Sequence, residues 1–127
     1  MELFYITLAL LLLFIGYSLF NFIQQKRILT TLSQDEFIEG YRKAQLIDVR
    51  EPGEFESGHI LGARNIPLTQ LKMRMKEIRP DKPVYLYCQS GSRSGRAALM
   101  LHKKGYKHLY QLKGGFKKWT GKIKVGK

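Results

Sequence analysis

The hydrophobic pattern divides the chain near residue 25. From Leu3 to Ile23, 21 residues carry no charge and no polar stripe, with only Thr7, Ser18 and Asn21 as mild interruptions. A helix of that length spans about 30 Å, the thickness of a bilayer's hydrocarbon core. Tyr5, Tyr17, Phe20 and Phe22 lie toward its ends, where aromatic rings favour the membrane interface. A buried core helix rarely runs so long without a polar face. A secretory signal has a basic start, a shorter apolar run and a small-residue cleavage site. Here Met1-Glu2 opens the chain and Asn21–Arg27 follows the run. The pattern predicts an uncleaved, single-pass membrane anchor over residues 1–25. Lys26 and Arg27 directly after it place the N-terminus outside and the rest in the cytoplasm.

Beyond the anchor the pattern becomes that of a soluble domain, expected over 26–121. Ser33-Gln34-Asp35-Glu36 is a capping box and predicts a helix from Gln34 to Arg42, buried along Phe37, Ile38 and Tyr41. Leu46–Val49 is a short apolar run and predicts a buried strand. Pro52 suits a first helical position, and Gly58 ends that helix after Phe55. Ala63–Ile66 predicts a second short strand. Leu68, Leu71, Met75 and Ile78 recur at helical spacing, with Lys72, Arg74 and Lys76 between them. Val84–Cys88 is bulky on both faces, as a central parallel strand is. Ser94–Lys104 predicts a helix ending at Gly105, His108–Gln111 a strand, and Gly114-Gly115-Phe116 a turn into a short helix around Trp119. The last residues, 122–127, read as a basic, mobile tail. Strands alternating with helices imply an α/β fold, a parallel sheet covered by helices on both faces. The reactive end of such a sheet is the carboxyl end of its strands.

Composition narrows the classes. At 127 residues, with the anchor removed, about 100 remain, enough for one core and too few for two. The one cysteine, Cys88, excludes an intramolecular disulfide and argues against a cysteine-rich metal site. The formal charge of +12 is uneven: after Asp81 come twelve Lys or Arg and no acid. Such a balance gives non-specific attraction to anions. No base-reading motif accompanies it, so nucleic acid is not an expected partner. Lys103, Lys104, Lys107 and the tail are expected to face anionic lipid beside the anchor.

The candidate chemistry sits at Cys88, at a predicted strand end. The segment Cys88-Gln89-Ser90-Gly91-Ser92-Arg93-Ser94-Gly95-Arg96 is small, polar and basic. A thiol is a good nucleophile as thiolate, and its free pKa is about 8.5. A loop between strand and helix can aim successive N–H groups inward as an anion nest. The following helix adds its positive end, and Arg93 and Arg96 add charge. Gly91 allows a tight curl; Ser90 and Ser92 keep the nest open. These features are expected to favour the anion and outweigh the dull alternative, a small buried hydrophobe.

The chain here resembles the single-domain rhodaneses, or thiosulfate sulfurtransferases, from about Thr31 to Gly121. Leu46–Phe55 looks like the family's first signature and Gly58–Pro67 continues it. Tyr87–Ser94 looks like the active loop, and Leu112–Trp119 resembles the closing motif. The resemblance implies that Cys88 takes the outer sulfur of an anionic donor such as thiosulfate and forms a covalent persulfide. A thiophilic acceptor, cyanide or a thiol on a small molecule or protein, then receives it. It implies no metal and no organic cofactor. Gln89, Ser90, Gly91, Ser92, Arg93 and Ser94 would form the substrate-binding loop. The related phosphatases carry a loop one residue longer than the four residues between Cys88 and Arg93. A non-enzymatic, membrane-tethered persulfide carrier or docking module is the alternative.

Around the loop, Arg50 and Arg96 are candidates for the pocket rim. Arg50 either borders an anion pocket or ties two loops through Asp48; Asp48 reads as structural, because a buried carboxylate needs a positive or N–H partner. Glu54 reads as solvated or loop-bracing. His59 invites a general-base role, but the resemblance makes its Gly-His-Ile stretch a structural turn. Trp119 reads as core.

Overall fold

The computed structural model describes residues 1–127. In chain order the elements are α1 (Glu2–Ile28), β1 (Leu29–Leu32), α2 (Gln34–Gly40), β2 (Gln45–Asp48), α3 (Pro52–Ser57), β3 (His59–Ile60) and β4 (Arg64–Asn65). Then follow α4 (Leu71–Arg74), β5 (Val84–Tyr87), α5 (Ser92–Lys103), β6 (Leu109–Leu112) and β7 (Ile123–Lys124). Five strands form one parallel sheet in the order β1-β6-β5-β2-β4.

Side-chain alternation along the strands sorts the core into two layers. On one face Ile47, Val49, Val84, Leu86 and Leu109 pack with Leu71, Ile78 and, from α5, Ala97, Ala98 and Leu101. The two alanines let α5 lie close against the sheet. On the other face Leu46, Tyr87 and Leu112 pack with Phe37 of α2, Tyr41 and Ile60. Phe37 and Leu101 are fully buried, each contributing about 1.5–3 kcal/mol of transfer free energy. The capping box at Ser33 and Glu36 forms, fixing the start of α2 on this second face.

The predicted α/β architecture is present, with differences at its margins. The long helix does not stop at residue 25 but runs to Ile28 and passes straight into β1. Leu29-Thr30-Thr31-Leu32 is too short for its periodicity to announce a strand. It is one because the free edge of β6 pairs with it, Leu29 opposite Leu109 and Leu32 opposite Leu112. The segment from Leu68 to Ile78 is not one helix: two 3-10 turns flank α4. The Tyr106 hydroxyl lies 2.9 Å from the Met75 carbonyl and 2.6 Å from that of Ile78, tying this segment's end to the body. The strand expected at Ala63–Ile66 keeps two residues, and α5 begins at Ser92 rather than Ser94. The tail is not free. Ile123 and Lys124 pair antiparallel with Ile60 and His59, and the Gly126 N–H donates to the Glu56 carbonyl at 2.8 Å.

Candidate active site

Cys88 follows β5 directly and is 1% exposed. Its sulfur accepts the Gly91 N–H at 2.9 Å and the Ser94 N–H at 3.4 Å, and lies 3.6 Å from the Ser94 hydroxyl. Gly91 reaches this position with φ of +121°, a conformation that disfavours any side chain. It stands at the N-cap of α5, so the helix's free N–H groups open toward the sulfur.

Ser94 is buried and doubly engaged. Its hydroxyl oxygen is 2.9 Å from the Gly91 carbonyl and 2.7 Å from Gln111 Oε1. Gln111 in turn donates through Nε2 to Thr31 Oγ1 at 3.0 Å. Side chains of β6 and β1 thus reach the Cys88 sulfur through one hydroxyl.

Arg93 does not turn into the nest. Its two terminal nitrogens grip both oxygens of Glu54 in α3, at 2.6 and 2.9 Å. A carboxylate offers a planar, two-pronged match to guanidinium, so the pair outcompetes a lone sulfur for its donors. Hydrogen bonding to Arg93 brings the Glu54 carboxyl down to about 2, and hydrogen bonding to Glu54 raises Arg93. Glu54 is therefore a brace between α3 and the loop. Arg96, one turn further along α5, is exposed and has no ion-pair partner. Ser90 and Ser92 are exposed at the loop's outer side.

Arg50 combines both roles the sequence left open. Its Nε and Nη2 donate to the buried Asp48 carboxylate at 2.8–3.1 Å, and Nη2 also reaches the Gly58 carbonyl at 2.6 Å. Nη1 donates to Gln89 Oε1 at 3.1 Å, and the guanidinium lies 4.3 Å above the Phe116 ring. Burial works against its charge, but the bonds to Asp48 and that residue's charge prevail, and its pKa rises. With Glu54, Ser57, Gly58, Gln89 and Phe116 it lines an open cleft of about 440 Å³ beside the loop. His59 is buried; its Nδ1–H donates to the Phe55 carbonyl at 2.8 Å and its ring stacks on Phe55. These contacts hold α3 to β3.

The loop also has a support that residue chemistry does not announce. The Phe116 N–H donates to the Cys88 carbonyl at 2.8 Å and the Lys117 N–H to that of Gln89 at 3.2 Å. The backbones approach so closely that a Cβ on Gly115 would lie 2.5 Å from the Gln89 carbonyl oxygen. Gly115, Gln111 and Thr31 are site residues that sequence reasoning missed. The double glycine at Gly114-Gly115 was the one signal.

The rhodanese-like domain family matches residues 33–122. An uncharacterized protein of Bacillus subtilis, YqhL, is 64% identical over 122 residues, covering 96% of this chain and 97% of its own length. A sulfurtransferase of Allochromatium vinosum is 39% identical over 75 residues, 59% of this chain and 70% of its own. Among solved structures, a rhodanese-related protein from Thermoplasma volcanium superimposes with a TM-score of 0.70 at 26% identity, covering 76% of this chain and 98% of its own. With that match over four of the five parallel strands and the cysteine loop, the chain belongs to the rhodanese-like domain family.

Proposed function

We propose that this protein is a sulfurtransferase that moves sulfane sulfur through a persulfide on Cys88. The Cys88 thiolate attacks the outer sulfur of thiosulfate or of a persulfide donor. A new S–S bond forms to Cys88, the donor's S–S bond breaks, and sulfite or a thiolate leaves with the electron pair. Cyanide or a thiol then attacks the bound outer sulfur, taking it as thiocyanate or a new persulfide and returning Cys88 to the thiolate. The sequence needs no metal and no organic cofactor.

The observation that carries this reading is the pair of amide N–H groups, from Gly91 and Ser94, aimed at the Cys88 sulfur. Donors, intermediate and leaving group are all anions, and preorganised amides favour negative charge without rearranging as the reaction proceeds. Arg50 lines the cleft beside the loop, its charge balanced by the buried Asp48 carboxylate and its Nη1 held on Gln89. The sulfurtransferase relative supports the same chemistry.

The anchor is part of the proposal. The single long apolar helix, α1, contains an 18-residue window of mean hydropathy 2.3, none of it buried. We read it as crossing the membrane once, N-terminus outside. Lys26 and Arg27 after the apolar run support a cytoplasmic domain.

The test is the mass of the full chain after thiosulfate. One added sulfur atom on Cys88, removed by cyanide and absent in Cys88→Ala, is expected. A stable persulfide that neither cyanide nor small thiols discharge would point to a carrier for one protein acceptor. No added sulfur would leave only a docking module.

A further inference from the structure

We propose that the catalytic edge of the sheet faces the bilayer, held at headgroup depth against an anionic lipid surface. The inference rests on α1 being the membrane span, and goes on to fix which side of the domain that span brings to the membrane.

The direction follows from two contacts of α1. Its end enters β1 at Leu29, opposite Leu109, the first residue of β6, so the helix arrives at the amino edge of the sheet. Four residues earlier, Gln25 lies against Gly95 in the first turn of α5, at the opposite, carboxyl edge. A Cβ on Gly95 would be 2.6 Å from Gln25 Oε1. Phe22 and Gln25 also line a cleft of about 460 Å³ with Thr31 and Gln111, both toward the carboxyl ends of their strands. Followed back toward the N-terminus, α1 therefore climbs past the edge that carries Cys88 and leaves the domain there. Asn21, Gln24, Gln25 and Ile28 recur at helical spacing and are all half-buried, so the last two turns of α1 are docked.

Magnitudes then set the depth. The apolar run ends at Ile23, two residues before Gln25, which is about 3 Å of helix. The headgroup layer on each side of the hydrocarbon is about 5–7 Å thick. Gly95 is the chain neighbour of Ser94, whose N–H touches the Cys88 sulfur. The cysteine loop thus lies level with the headgroups.

Charge suits that surface. Lys26 and Arg27, Arg96 of α5, and Lys113, Lys117 and Lys118 after β6 are exposed on this side and form no ion pairs. Of the acids toward the same edge, Glu54 is held by Arg93, while Asp35, Glu36 and Glu51 form no ion pair. The cations outnumber these free acids. Lys103, Lys104 and Lys107, expected from sequence to meet lipid, cap the far edge at the end of α5 and before β6. A thiol held at headgroup depth would meet Cys88 without leaving the membrane.

The test measures depth and needs no sulfur chemistry. Full-length Cys88→Ser, which has no cysteine, receives Ser90→Cys or, separately, Lys107→Cys, and each is labelled with bimane. The proteins are reconstituted into phosphatidylcholine–phosphatidylglycerol vesicles containing a lipid with a nitroxide on its headgroup. Quenching at residue 90 at least threefold stronger than at 107 is expected; equal quenching, or the reverse order, overturns the inference. A chain that fails to float with vesicles after an alkaline wash removes the span reading and this inference with it. The unmutated chain gives a second measure by lysine acetylation, read by mass and normalised to the unfolded chain. Lys113, Lys117 and Lys118 should be protected in vesicles relative to Lys103, Lys104 and Lys107, and uniform labelling counts against the proposal.

Discussion

Arg93 and Glu54 form a two-pronged ion pair, at 2.6 and 2.9 Å, that ties the first turn of α5 to α3 across the mouth of the site. The arginine nearest Cys88 in sequence thus acts through loop geometry, and the arginine lining the cleft is Arg50. Both α3 and α5 start at the carboxyl edge of the sheet, so the pair fixes their relative position beside the open cleft next to Cys88.

The ion pair predicts an acid limb in stability. The Glu54 carboxyl lies at about 2 in the folded chain against 4.5 ordinarily, because of Arg93. Its folded value is depressed, so its contribution is complete above about pH 4.5 and is lost as pH falls through 2. Both side chains are about one-third exposed, and solvent screening limits the pair to about 1 kcal/mol. Thermal unfolding of the chain and of Glu54→Gln should differ by that amount at pH 7 and converge near pH 2. A gap that stays constant across this range would show that Glu54 acts through packing alone.

Gly91 separates backbone conformation from packing. A Cβ there meets nothing within 4 Å, yet φ is +121°. The only cost of Gly91→Ala is the backbone's, about 1–3 kcal/mol. The chain can relieve it by rotating the amide away from Cys88. Losing one preorganised donor of this kind costs about 100-fold in rate. Gly91→Ala should fold, and its thiosulfate:cyanide kcat/KM should fall by about that factor. Wild-type turnover in this variant would mean the amide contributes nothing to sulfur transfer.

How much of this was legible depended on whether the cause was local. The Ser33–Glu36 capping box, the strand expected over Val84–Cys88 and found over Val84–Tyr87, and the glycine-curled loop after Cys88 are set by residues within a few positions of one another. β1 and β7 exist because of partners far along the chain, β6 and β3, and no local pattern encodes that pairing. The same holds in the site. Cys88 and its loop announce themselves, whereas Glu54 takes Arg93 across 39 residues and Gln111 meets Thr31 across 80. Both partnerships are set by the strand order.

Gly115 is the packing counterpart of Gly91. A Cβ there would lie 2.5 Å from the Gln89 carbonyl oxygen and 2.8 Å from that of Cys88, both backbone atoms without a rotamer to yield. Its φ of +70° adds strain. Gly115→Ala must push the β6 loop off the cysteine loop, breaking the Phe116 and Lys117 N–H bonds to it. The expected destabilisation is about 2–3 kcal/mol. Persulfide formation should fall even where circular dichroism shows the chain folded. A variant as stable and active as the parent would show that the two loops move independently.

Ser94 and Gln111 predict an ordered pair of effects. The Ser94 hydroxyl is the one side-chain group hydrogen-bonded to the Cys88 sulfur, at 3.6 Å, while the two amides reach it from the backbone. In the resting thiol the Cys88 S–H donates to Ser94 Oγ, whose own proton goes to Gln111 or the Gly91 carbonyl. Once the thiolate forms, that proton can turn to the sulfur. Ser94→Ala leaves both amides in place but removes this donor, worth about 1.4 kcal/mol or tenfold in rate. The loss should fall on kcat, with thiosulfate KM within about twofold, because the cleft lined by Arg50 is untouched. Gln111→Leu removes the outer partner only. The Ser94 hydroxyl can still donate to the Gly91 carbonyl at 2.9 Å, so the effect should be smaller, about two- to threefold in kcat. Steady-state kinetics on both variants decide the order. A larger loss in Gln111→Leu than in Ser94→Ala would mean that Gln111 acts on the site by a route other than this hydroxyl, such as the register of β1 against β6.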